Sequence, residues 1–165
     1  MPNLAELNGL DREAFTRVVG PVFEHSPWIA ERTWARRPFE KPQDLHAALC
    51  ASVRLADPRE RLSLIRAHPD LVTRAVLTRE SQDEQASAGL VNLSDEEARQ
   101  FREYNAQYRE RFGFPFVICA RQNKKDAILR TFSERLQNSP ARETETALEE
   151  IYKIAELRLR DLVQP

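Results

Sequence analysis

Apolar residues recur along this chain at intervals of three and four, in stretches closed by proline or glycine, and that is the period of an amphipathic helix. Asp11 is placed to cap a first helix running to Val19, where Gly20-Pro21 stops it. Ser26-Pro27 reads as the cap and first turn of a second, which Pro38 ends by driving Arg37 out of helical geometry. A third helix follows Pro42 and buries Leu45, Leu49, Val53 and Ala56; a fourth opens at Pro58 and carries Leu62, Ile65 and His68 up to Pro69. A short helix begins at Thr78 or at Glu80-Ser81 and ends near Gly89. Ser94 with Glu97 three residues on forms a capping box for a long helix, on which Ala98, Phe101, Asn105, Tyr108 and Phe112 share one face up to Gly113. Two more are predicted, about Lys124 to Gln137 and Ala141 to Val163. The second has a stripe of Leu148, Ile151, Ala155, Arg158 or Leu159, and Leu162.

One run breaks the helical period. Phe114-Pro115-Phe116-Val117-Ile118-Cys119-Ala120 is continuously apolar and would suit a short buried strand, but no second strand is in view to pair with it. The expected fold is therefore all-α: a single compact multi-helix domain over residues 1–165, with a buried extended loop around Phe114 to Ala120. A chain of 165 residues can bury roughly two thirds of the surface its unfolded form exposes, so it needs no disulfide or metal staple.

Charge narrows the field further. With 25 Lys+Arg against 26 Asp+Glu the net charge is −1, which leaves no broad field for nucleic acid or an anionic membrane. No apolar run is long enough to span a bilayer and the first residues lack a leader pattern, so the expectation is a cytoplasmic protein without nucleic-acid or membrane partners. Cys50 and Cys119 lie in apolar surroundings without paired spacing, as free thiols of a reducing compartment do. His25, His46 and His68 lack metal-ligand spacing, so they make no zinc site, and no glycine-rich phosphate loop is present.

Three features carry candidate chemistry. His68 stands at a helix C-terminus before Pro69-Asp70, where it is either a capping histidine or a ring aimed by the stiff exit. Ser81-Gln82-Asp83-Glu84-Gln85 puts donors and acceptors on one short helix; Ser81 with Glu84 would equally make a capping box. Arg158 falls on or beside the apolar stripe of the last helix, so its guanidinium must meet an anion, either a structural partner or a ligand carboxylate or carbonyl.

Five segments, taken in order, resemble the 2-oxo-4-hydroxy-4-carboxy-5-ureidoimidazoline (OHCU) decarboxylase family over nearly the whole chain. They are Phe23-Glu24-His25-Ser26-Pro27-Trp28-Ile29-Ala30, Leu64 to Leu71 around His68-Pro69-Asp70, Ser81 to Gln85 leading to Ala88-Gly89-Leu90, Tyr108 to Ile118, and Ile151 to Leu159. The resemblance implies an all-helical, cofactor-independent carboxy-lyase that converts OHCU to (S)-allantoin in urate catabolism with stereoselective protonation, and a homodimer. It implies His68 and Glu84 as catalytic residues. Substrate binding would fall on Pro69, on Ser81, Gln82, Asp83, Glu84 and Gln85, on Phe116, Val117, Ile118, Cys119 and Ala120 through backbone groups, and on Arg158. The competing reading is a non-catalytic helical binding or regulatory protein in which these side chains are caps and ion pairs.

Overall fold

In the computed structural model, which describes residues 1–73 and 77–164, the chain is all-α and forms two compact units. The first comprises Met1–Ala67 together with the chain from Tyr152 onward; the second comprises His68–Ile151.

The first unit opens with a helix that the periodicity did not signal, α1 (Leu4–Gly9). It is set by local chemistry: the Glu6 amide donates to Asn3 Oδ1 at 2.9 Å and the Asn3 amide to Glu6 Oε2 at 2.9 Å, a reciprocal capping box. Helix α2 (Arg12–Val19) is capped as expected by Asp11, which accepts from the Ala14 amide at 2.8 Å, and Gly20–Val22 tightens into a 3₁₀ turn. The next element departs from expectation. Helix α3 (Trp28–Thr33) starts one residue late with Pro27 as its cap, because the Ser26 hydroxyl donates backwards to the Glu24 carbonyl at 2.8 Å. It also stops early, passing into a 3₁₀ turn at Trp34–Arg36. Arg37 explains the stop: its guanidinium donates to the Trp34, Asn8 and Leu10 carbonyls at 2.8, 2.7 and 3.1 Å, holding the chain in a turn.

Helices α4 (Pro42–Leu55) and α5 (Pro58–Arg66) follow their prolines. Leu45, Leu49 and Val53 are fully buried, Ala56 is buried just past the helix, and on α5 the inward residues are Leu64 and Ile65, with Leu62 only half-buried. Helix α3 packs against both α2 and α4.

The second unit holds α6 (Arg79–Ser87), α7 (Asp95–Phe112), α8 (Lys125–Arg135) and the first half of α9 (Pro140–Leu162). The Ser94–Glu97 capping box and the left-handed Gly113 stop (φ 76°) bound α7 as the spacing predicts. Residues 114–119 form the expected buried extended loop, and among the described residues bridge pairing is confined to one isolated contact, Asn3 with Gln164. An aromatic cluster fills the unit's core. Phe116 stacks on Phe132 with ring centroids 3.7 Å apart, and Tyr108 meets Phe116 edge-on at 5.3 Å. Each such ring, moved out of water, contributes about 1.5–3 kcal/mol.

Candidate active site

Proline decides where His68 goes. Pro69 disfavours helix at the residue before it, so α5 closes on Ala67, whose amide is already satisfied by the Ser63 carbonyl at 2.9 Å. The His68 side chain is then buried, at 7% exposure, rather than spread over an exposed helix end as a surface cap would be. Beyond Pro69 the next three residues are held in turn. Asp70 accepts from Arg109 Nε at 2.9 and 3.0 Å, the Leu71 carbonyl accepts from Asn105 Nδ2 at 2.8 Å, and the Val72 amide donates to Gln85 Oε1 at 3.2 Å.

On α6 the capping hydroxyl belongs to Thr78, which accepts from the Ser81 amide at 3.2 Å. The capping-box explanation of Ser81 and Glu84 therefore lapses, and Ser81 sits inside the first turn. Ser81 and Gln85, one turn apart, are buried at 5% and 7% exposure, Glu84 is half-buried, and Gln82 and Asp83 are exposed. The segment is thus two-faced.

Phe116, Val117, Ile118, Cys119 and Ala120 are all buried, and side chains from α8, from α9 and from Asn123 just before α8 grip their backbone. Arg135 donates to the Val117 carbonyl at 2.7 Å, the Cys119 amide donates to Glu150 Oε1 at 3.3 Å, and Asn123 Nδ2 donates to the Cys119 carbonyl at 2.9 Å. Behind the loop, Arg135 pairs with a fully buried Glu143 at 2.9 Å, and Glu143 also accepts from Tyr108 Oη and from Asn138 Nδ2. This cluster escaped the sequence reading. Its signal was present: Arg135 stands three residues beyond Phe132 and seven beyond Ile128, on the stripe that α8 buries.

Helix α6 is what gathers these segments. Gln85 touches the exit from His68. The Ser87 and Ala88 carbonyls accept from Lys124 Nζ at 2.6 Å and from the Lys125 amide at 3.2 Å, and α6 packs on the 3₁₀ turn Ala120–Gln122. Burial pushes the Cys119 thiol up, and the carboxylates of Glu150 and Glu84 push it further. That thiol stays protonated at neutral pH and is no nucleophile. The second unit therefore brings together an imidazole, a carboxylate, a hydroxyl, a carboxamide and an extended loop from residues 68–72, 81–85 and 116–122. Among the described residues no group of three or more His, Cys, Asp or Glu side chains is placed to hold a metal ion.

Arg158 belongs to the first unit. Both it and Leu159 are buried, and its guanidinium pairs with the buried Glu24 carboxylate at 2.9 Å and donates to the Pro21 carbonyl at 3.3 Å. The anion that the sequence demanded is present in the protein itself.

Residues 8–160 match the family model described as OHCU decarboxylase. The chain is 42% identical to the 2-oxo-4-hydroxy-4-carboxy-5-ureidoimidazoline decarboxylase of Halalkalicoccus jeotgali over 97% of its length and 91% of that protein's. It is also 42% identical to the protein of the same name from Amia calva, over 98% of its length and 95% of that protein's. Among solved structures it resembles the crystal structure of (S)-allantoin synthase, with a TM-score of 0.81 and 28% identity, over 99% of this chain and 54% of that one.

Proposed function

The chain belongs to the OHCU decarboxylase family, and from that premise we propose that its reaction runs on the face where α6 meets the exit from His68 and the loop Phe116 to Ala120. The protein is a decarboxylase of urate degradation. What remains to be assigned is which groups do the work.

The substrate's own structure supplies the electron sink. The carboxylate leaves C4 beside a C5=N1 imine; as the C4–CO₂ bond breaks, its electron pair forms C4=C5 and the imine pair moves to N1, which takes up a proton. The C4 enol then loses its hydroxyl proton, C4=O forms, and C5 takes a proton on one face to give (S)-allantoin. The protein must hold the carboxylate bond perpendicular to the imine plane, exclude water and direct that proton.

His68 and Glu84 are the catalytic pair in this reading, the imidazole at the C4 hydroxyl or carboxylate and Glu84 orienting the ring or the ureido arm. Pro69, Ser81 and Gln85 line the substrate beside them, with Gln82 and Asp83 on the outer side of the same turn. The Val117 carbonyl and the Cys119 amide and carbonyl already have protein partners. The amides of Val117, Ile118 and Ala120 are the loop donors assigned to the substrate, with Phe116 packing behind them. Arg158 is assigned to a substrate carboxylate or carbonyl. Its pairing with Glu24 fixes the plane of its fork.

The observation that carries the reading is that α6 turns Ser81 and Gln85 inward while leaving its cap to Thr78, in contact with the exit from His68 and with the turn Ala120–Gln122 that ends the loop. Among the described residues no helix is long and apolar enough to cross a membrane. A cytoplasmic homodimer of one domain, 1–165, binding the small-molecule substrate without nucleic acid or membrane, completes the proposal. The test is decay of OHCU generated in situ from urate. Faster loss and an excess of (S)-allantoin are expected; a racemic product at the spontaneous rate would favour the non-catalytic binding protein.

A further inference from the structure

The exit from His68 is gripped at three consecutive residues, Asp70, Leu71 and Val72, by Arg109 and Asn105 of α7 and Gln85 of α6. The grip holds an unfavourable backbone. Val72 has φ 57°, in the left-handed region where a β-branched side chain crowds its own carbonyl. Without restraint this residue relaxes to negative φ, and the rotation turns the chain that leaves His68.

Of the three grips Asn105 stands apart. It is 8% exposed on the buried face of α7 between Phe101 and Tyr108, and its Nδ2 donates to the Leu71 carbonyl at 2.8 Å. Its Oδ1 is buried without a hydrogen-bond partner. A buried acceptor left unsatisfied costs stability, so one good bond has been obtained at the expense of an orphan. A leucine has the same branching at Cγ and suits the apolar face; it removes the orphaned Oδ1 but strands the buried Leu71 carbonyl in its place. The amide is thus near neutral in stability, and what it adds is the position of that carbonyl.

We propose that Asn105 is a positioning residue of the reaction: by fixing the Leu71 carbonyl it holds the Pro69–Val72 turn and, through it, the direction of the His68 imidazole. The inference rests on the assignment of His68 as catalytic. Arg109 is half exposed and its pairing is screened, and Gln85 belongs to the proposed substrate face, so Asn105 is the grip whose loss reads most clearly.

The experiment is Asn105→Leu, measured for kcat, KM and thermal unfolding, alone and combined with His68→Asn. A misdirected ring should lower kcat about ten- to a hundredfold with KM changed less than about twofold. Tm should change little, and a kcat loss at nearly constant Tm and KM is what a merely structural amide would not give. In the His68→Asn background Asn105→Leu should cost nothing more. Turnover at the wild-type rate by folded Asn105→Leu overturns the proposal, and so does a loss that multiplies in full with that of His68→Asn. Should Asn105→Leu not fold, Asn105→Ala is read by the same two rules. If His68→Asn itself turns over normally, the premise about His68 fails instead.

Discussion

Glu143→Leu should be among the most destabilising single changes this chain can suffer, and the reason lies in what it strands. Glu143 is fully buried and gathers Arg135 Nε at 3.0 Å, Arg135 Nη2 at 2.9 Å, Asn138 Nδ2 at 2.9 Å and the Tyr108 hydroxyl. Leucine fills the space but leaves the guanidinium, at 6% side-chain exposure, with the Val117 carbonyl and the face of Phe116 at 4.3 Å as its main company. Breaking one side of a buried pair costs about 3–5 kcal/mol, a large share of the roughly 5–15 kcal/mol that holds a domain together. At about 2 kcal/mol per molar of urea, the midpoint read by far-UV circular dichroism should fall by about 1.5–2.5 M. The companion variant decides the mechanism. Arg135→Met with Glu143→Leu removes both charges and should recover most of the loss, because the desolvation penalty disappears with them. Activity should recover less, since the Val117 carbonyl has still lost its donor. A single-variant loss under about 1 kcal/mol, or a double variant no more stable than Glu143→Leu, would refute the reasoning.

Four further outcomes are expected. His68→Asn should lower kcat by roughly two to four orders of magnitude and Glu84→Gln by somewhat less, with the double variant little worse than His68→Asn; fully multiplying losses in folded proteins would mean that the two residues act independently. Ala120→Pro deletes one amide at the first position of a 3₁₀ turn, after a Cys119 that is already extended (φ −71°, ψ 91°), so steady-state kinetics should show weakened substrate binding in a stable protein, and unchanged kinetics would remove this amide from the site. Arg158→Lys replaces a planar fork held by Glu24 with a point charge, and both KM and urea stability should suffer; stability alone changing would leave Arg158 a structural ion pair. Burial pushes the Cys50 thiol up to about 11, above the roughly 8.5 of an unfolded thiol. The folded state then holds its proton more tightly, so this contribution is complete below about pH 8.5 and is lost as pH rises through about 11. Urea midpoints at pH 8 and 10 should diverge less in Cys50→Ala, and equal divergence would exclude Cys50 from the alkaline loss.

The sequence by itself determined the helical framework, because caps and stops act within four residues of where they stand. Asp11, the Ser94–Glu97 box, Pro42, Pro58 and Gly113 bound their helices as read, and even the unforeseen α1 follows from Asn3 and Glu6. The family was legible for a related reason: its five segments survive as local patterns. Where local signals competed, the tertiary structure decided. Ser26 spends its hydroxyl on the Glu24 carbonyl instead of a helix start, and Arg37 bends α3 into a turn through carbonyls nearly thirty residues away. The same holds at the candidate site. Spacing left Ser81 poised between cap and ligand, and only the position of Thr78 removed the cap. The Arg135–Glu143–Tyr108 cluster and the grip of Asn105 on Leu71 join residues eight to thirty-five positions apart. Periodicity can place a polar side chain on a buried face, but which partner waits there depends on how other helices pack, and no window of neighbouring residues contains that.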